Sequence, residues 1–228
     1  EQTIDHLASI LPFERDYYSK NAPIAYVGHP LLDQITEFKE HLSDEVKSVV
    51  FMPGSRKGEI KKLLPIFKEV RETLGVDATI IVPKHFSKED IKEVYGSLAG
   101  FKIAHDAHKT LLNADFAFIC SGTATLEASL IGIPFVLTYI AKPFDYFIAS
   151  RLVKLEYIGL ANIMFSKFKN RVLHPEFIQE EVTAPNLIKA YETYERSKFL
   201  EDSKALRAYL KSGSSKKVAN IIEGREED

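Results

Sequence analysis

Between residues 48 and 139 short apolar runs alternate with helix-sized segments, and that rhythm decides the fold class before any single residue is weighed. Runs suited to strands fall at 48–52, 79–82, 101–104, 115–119 and 135–139, and each gap leaves room for a crossover helix. Strands joined in this way lie parallel, with helices on both faces of the sheet. The punctuation agrees. Gly75 closes a helix that begins after Arg56, with Pro65 expected to kink or restart it, and Gly132 stops the helix carrying Glu127 before Pro134 opens the next strand. Upstream, 4–11 and 24–27 read as strands, 15–20 as a short helix, and 31–41 as a helix with Leu32, Ile35 and Phe38 at three-residue spacing. Beyond residue 140 strands become scarce, and 143–154, 185–197, 199–210 and 214–223 read as helices. The expected class is α/β: a parallel sheet flanked by helices, followed by a helical C-terminal region.

In an open sheet of this kind ligands bind beyond the carboxyl ends of the strands, and two strand-to-helix junctions there carry suitable chemistry. The first is Ser121-Gly122-Thr123. A helix start offers unpaired N–H groups and the positive end of its dipole, which makes a seat for phosphate. Glu127 lies one helical turn beyond Thr123, on the same face. A carboxylate is a poor partner for phosphate and a good acceptor for a sugar diol, so the element suits a nucleotide better than a free anion. The second junction is Gly54-Ser55-Arg56, after Pro53. Gly54 permits close backbone approach, Ser55 suits a helix cap, and Arg56 supplies a fork of donors for phosphate oxygens. Pro-Gly-Ser alone is a common turn; two such junctions on one sheet edge can converge on one ligand. Asn162, a polar amide within Leu160-Ala161-Asn162-Ile163, either ties down a turn or presents its amide to a base or diphosphate.

Several function classes are excluded or weakened. Neither Gly-x-Gly-x-x-Gly nor a Gly-Lys-Ser/Thr phosphate loop occurs, which counts against hydride transfer and ATP hydrolysis. His85, His105 and His108 come from different expected elements without partner cysteines, so they read as structural or surface residues rather than zinc ligands. His29, before Pro30, reads as a turn histidine bonded to backbone. With 30 basic and 32 acidic side chains the net charge is -2, so no global field recommends nucleic acid. The single cysteine, Cys120, excludes an internal disulfide and suits a reducing cytosol. Lys142-Pro143-Phe144-Asp145 leads toward Arg151 and Lys154, a concentration of aromatic and basic side chains that fits either a packing face or contact with lipid phosphate. Asp145 there reads as a helix cap rather than a general base.

Taken in order, Ile10-Leu11-Pro12-Phe13-Glu14, Val27-Gly28-His29-Pro30-Leu31, Pro53-Gly54-Ser55-Arg56 with Glu59-Ile60, and Ser121 through Glu127 resemble the bacterial lipid-A-disaccharide synthases. Lys142-Pro143-Phe144, Arg151-Leu152-Val153-Lys154 and Leu160-Ala161-Asn162-Ile163 continue the match. The resemblance implies one half of a GT-B glycosyltransferase, in which two Rossmann-like domains face each other across a cleft. It further implies an inverting, metal-independent hexosyl transfer from UDP-2,3-diacylglucosamine to 2,3-diacylglucosamine 1-phosphate, releasing UDP, with no cofactor and no nucleic-acid partner. The implied setting is cytoplasmic, at the inner membrane surface of a Gram-negative bacterium. By position, Gly54, Ser55, Arg56 and Asn162 would be donor-site residues, Ser121, Gly122 and Thr123 would hold the diphosphate, and Glu127 the ribose. The family usually has proline before the asparagine, so Ala161 predicts a less rigid loop around Asn162.

The chain opens at Glu1 within what reads as structure. On the resemblance it is then the donor-binding part, without the acceptor-side half that carries the family's aspartate base, and inactive alone. The expected division is 1–35 as the end of the acceptor-side domain and crossover, 36–185 as the UDP-sugar-binding domain, and 186–228 as helices packing back toward the acceptor side. Removal of that half would expose 4–11 and 214–223 for self-association. Two other readings stand beside this one: a UDP-sugar epimerase acting on the donor without an acceptor, and a non-catalytic nucleotide-binding or interaction module.

Overall fold

The structure, a computed structural model, describes residues 4–120, 122–140 and 156–225. Strands β1 (Leu7–Ser9) and β2 (Ile24–Tyr26) pair in parallel as a small sheet of their own, followed by the short helix α1 (Pro30–Gln34). The main sheet is built from β3 (Ser48–Met52), β4 (Asp77–Ile81), β5 (Lys102–Ala104), β6 (Phe116–Cys120), β7 (Phe135–Tyr139) and β8 (Glu176–Ile178). Between its strands run α2 (Lys57–Leu74), α3 (Lys88–Tyr95), α4 (Ala107–Asn113), α5 (Thr123–Ile131) and α6 (Leu160–Lys169). Helices α7 (Ala184–Glu192), α8 (Arg196–Leu210) and α9 (Ser214–Glu223) end the described chain.

All ladders of the main sheet are parallel, in the order β5-β4-β3-β6-β7-β8. The chain therefore starts in the middle at β3, steps outward to β5, and returns to lay β6 on the other side of β3. That reversal is the switch point at which open α/β sheets leave a crevice beyond the strand ends.

Side-chain alternation explains the two-sided cover. Val49 and Phe51 of β3 and Phe116, Phe118 and Cys120 of β6 face α2, α3 and α7, whereas Val50, Ala117 and Ile119 face α5, α6 and α8. On the first face Phe51 stacks on Phe118 with ring centroids 5.3 Å apart, and Phe67 of α2 tilts against both. Every residue of β6 is buried, as a central strand requires, while β5 and β8 at the edges are partly open.

Three local expectations are corrected. The helix expected over 31–41 ends at Gln34, and Ile35 turns extended; Leu32 and Ile35 still enter the core, but the chain leaves α1 so that Lys39 N–H donates to Ile131 O at the end of α5. Pro65 does not restart α2, which runs unbroken with five buried apolar side chains; packing on that stripe outweighs the hydrogen bond proline removes. Strand β8, absent from the sequence reading, is three residues long and begins just after Pro175. The expected helix over 143–154, with Lys142-Pro143-Phe144, Asp145, Arg151 and Lys154, lies outside the described residues.

Asp33 joins the two ends of the chain. Its carboxylate accepts from Gly213 N–H, Ser214 Oγ (2.9 Å), Ser215 N–H (2.8 Å) and Ser215 Oγ (2.9 Å), capping α9 from α1. The Ser215 N–H bond leads the effects that hold its pKa at about 2. The folded value lies below the unfolded one, so the contribution is complete above the unfolded pKa and disappears as pH falls toward 2. Asp33→Asn is expected to flatten that acid dependence and to cost about 1 kcal/mol at neutral pH, checked by thermal unfolding from pH 7 downward; an unchanged acid limb would contradict it.

Candidate functional site

The two junctions singled out in the sequence meet at the switch point. Strands β3 and β6 are neighbours, with Met52 in register with Ile119, so the turns that follow them emerge side by side. Cys120 alternates onto the α2 face of β6 and there approaches Gly54. A Cβ on Gly54 would lie 3.2 Å from Cys120 Sγ and 2.7 Å from Glu59 Oε2. Gly54 also has φ of +100°, a region that side chains disfavour. Both reasons point to glycine, and both follow from how closely the first turn rides over the end of the second strand.

The amino ends of α2 and α5 consequently lie on the same edge of the sheet. Arg56 is the cap residue of α2, and its side chain is 78% exposed. Its Nη1 donates to Glu59 Oε1 at 2.6 Å, and that bond pushes the guanidinium pKa further up. Glu59 is only 14% exposed, so the carboxylate is the fixed partner and the arginine the reaching one. Ser55 does not cap the helix as expected: it lies one residue before the cap position and is exposed, because Gly54 takes the turn and leaves Arg56 in extended conformation at the helix start.

Gly122, with φ of 145°, caps α5, and a Cβ built on it meets open space. Gly122 and Thr123 are exposed, and Thr125 turns inward to donate through Oγ1 to Gly122 O at 2.8 Å. An uncovered helix start and its neighbour across the β3–β6 boundary present N–H groups and dipole ends to one region, which is the chemistry a diphosphate needs. Ser121 lies outside the described residues. One turn along α5, Glu127 is partly exposed, and its Oε1 pairs with Nδ1 of His108 at 3.2 Å.

Asn162 faces inward. It sits in the first turn of α6 and is fully buried. Its Nδ2 donates to His174 O (2.9 Å) and Glu176 Oε1 (2.7 Å), and its Oδ1 accepts from Leu173 N–H (2.8 Å) and His174 N–H (3.1 Å). Both amide hydrogens are used, so the amide has no donor left for a ligand. The expected loop is also corrected: Ala161 is the second residue of a helix, a place where proline and alanine are both tolerated because the N–H there needs no intrahelical partner. Glu176 extends the same network by accepting from Ile158 and Gly159 N–H.

His29 and His105 are bonded to backbone. His29 is buried and accepts Leu31 N–H through Nδ1, with burial lowering its pKa, and His105 Nδ1 lies 2.9 Å from Val82 O. Among the described residues no three side chains of metal-ligating type converge. A cavity of about 780 Å³ opens at the opposite edge of the sheet, lined by His174, Tyr194, Lys189, Lys198 and Phe199. It contains none of the switch-point residues. Volume is therefore a poor guide here, because a single sheet edge is a wall and not an enclosure. Glu59 and His108 are the site residues missed in sequence. Glu59 was legible as an i,i+3 partner of Arg56, while the approach of His108 to Glu127 depends on how α4 packs against α5.

An open parallel sheet flanked by helices, with two helix starts at its switch point, is the architecture of one half of a GT-B type glycosyltransferase fold. Solved structures of that shape agree. The calicheamicin glycosyltransferase CalG4 matches 96% of this chain and 53% of its own, with TM-score 0.60 at 12% identity. A putative UDP-N-acetylglucosamine 2-epimerase from Listeria monocytogenes matches 92% and 56%, with TM-score 0.52 at 14% identity; at such identities the likeness concerns the fold alone. The sequence model described as "LpxB: Lipid-A-disaccharide synthetase" matches residues 1–223. Lipid-A-disaccharide synthase of Helicobacter pylori (strain Shi470) is 48% identical over 96% of this chain and 64% of its own length. That of Campylobacter jejuni (strain RM1221) is 46% identical over 97% and 62%. The chain belongs to the lipid-A-disaccharide synthase family. It spans somewhat under two thirds of the length of these relatives.

Proposed function

We propose that this chain binds the UDP moiety of a UDP-sugar donor at the β3–β6 switch point, and that the whole protein uses it for inverting transfer of diacylglucosamine to diacylglucosamine 1-phosphate. The observation that carries the reading is the contact of the two junctions across Gly54 and Cys120, which brings Arg56 and the α5 start to one place. The helix starts and Arg56 receive the diphosphate, and Glu127 accepts from the ribose hydroxyls. Asn162 contributes indirectly, by holding the turn before β8. Positive dipole ends and a guanidinium supply the charge that a leaving diphosphate develops, so the transfer is assigned without metal. Family membership favours transfer over epimerisation, although the sheet would serve either. Among the described residues no helix is long and apolar enough to cross a membrane; we place the complete protein at the cytoplasmic face of the inner membrane, where its acylated substrates reside.

Calorimetric titration of the chain with UDP tests the reading. Binding is expected in the micromolar to millimolar range, unaffected by EDTA. Arg56→Ala and Glu127→Ala are each expected to weaken it about tenfold, as loss of a charged hydrogen bond does. Binding that both variants leave intact would place UDP elsewhere.

A further inference from the structure

We propose that His108 is the positioning residue for Glu127, holding that carboxylate in the orientation that accepts both ribose hydroxyls of the nucleotide. The inference rests on the donor-site reading above and adds to it a residue from another helix. A glutamate side chain on an open helix face samples many rotamers, and fixing one on ligand binding costs affinity. His108 supplies the restraint beforehand. A carboxylate can only accept, so the Nδ1 to Oε1 contact of 3.2 Å requires the proton on Nδ1. Among the described residues none donates to Oε2, which leaves that oxygen and the second lone pair of Oε1 for the sugar.

The support behind His108 is independent of Glu127. Asp106 caps α4 by accepting Lys109 N–H at 3.0 Å, and its main-chain oxygen accepts Thr110 Oγ1. His105, one residue before that cap, contacts the carbonyl of Val82 at the end of β4 through Nδ1. The turn presenting His108 is thus tied to the sheet on one side and to its own helix on the other. His108 and Glu127 are both partly exposed, with side chains 35% and 27% accessible, so a ligand can reach the carboxylate and substitution leaves the core intact.

The experiment compares UDP with 2′,3′-dideoxy-UDP on the chain itself, as His108→Ala and as His108→Asn, whose amide N–H reaches the place of the imidazole Nδ1–H. Unchanged thermal unfolding establishes that each variant is folded. His108→Ala is expected to weaken UDP about three- to tenfold and to leave the dideoxy nucleotide within about twofold, with His108→Asn recovering most of the loss. Equal weakening of both nucleotides, or none for UDP, overturns the proposal while leaving the donor site standing. If the unmodified chain binds the two nucleotides equally, Glu127 does not hold the ribose and both readings fall.

Discussion

Gly54→Val is expected to abolish detectable UDP binding and to lower the unfolding temperature by about 5–10 °C. Two costs act together. At φ of +100° a side chain meets its own backbone, a penalty on the order of 1–3 kcal/mol. The new Cβ would also stand 2.7 Å from Glu59 Oε2 and 3.2 Å from Cys120 Sγ. Cys120 is buried at the end of a fully buried strand, so the carboxylate is the group that moves. Displacing Glu59 releases Arg56, whose Nη1 it holds at 2.6 Å. In a domain of this size roughly 2–3 kcal/mol corresponds to the temperature shift stated. Gly54→Ala, with the same Cβ and less bulk, should show the same direction at smaller size. The measurements are thermal unfolding and UDP titration on each variant. Wild-type affinity in Gly54→Val would separate the two turns functionally and remove the basis of the shared site.

Asn162→Ala is expected to destabilise the fold by about 3–4 kcal/mol, close to 10 °C, while UDP affinity of the remaining folded protein changes less than about threefold. The amide makes four hydrogen bonds, and its removal strands the N–H groups of Leu173 and His174, both buried. His174 depends on this arrangement for a second reason: burial holds its pKa at about 4, so the ring must stay neutral while the turn is formed. Asn162→Asp isolates the electrostatic part. It would place a carboxylate oxygen 2.7 Å from Glu176 Oε1, and two carboxylates that close cannot both ionise cheaply. Protonation of the pair relieves that repulsion, so this variant should regain stability as pH falls. Chemical denaturation at several pH values checks both variants. A large loss of UDP affinity in folded Asn162→Ala would return the residue to the ligand.

The positions that stayed hidden in sequence share a physical cause. Strand β8 has three residues, one of them Glu176, so neither alternation nor length marks it; it exists because β7 offers a free edge and because the Asn162 network fixes the turn before it. The end of α1 at Gln34 is hidden in the sequence for a related reason. Leu32 and Ile35 do pack inward, but periodicity cannot distinguish a helix from an extended segment lying across the same core. Residue type alone suggests a cap at Ser55, whereas the positive-φ turn at Gly54 shifts the helix start to Arg56.

By itself the sequence determined the parallel α/β class, the boundaries of β3 and β7, the helix stops at Gly75 and Gly132, and the chemical character of the two junctions. These are local matters: apolar runs that need two covered faces, glycines that end helices, and residue types suited to anions. Only the tertiary structure decided that β6 returns beside β3, because strand order depends on which helix faces bury against which sheet face. From that order follow the meeting of Gly54 with Cys120, the pairing of Glu127 with His108, and the inward turn of Asn162. Each joins residues of different elements, and a contact of that kind is fixed by the packing of whole elements and leaves no mark in local residue pattern.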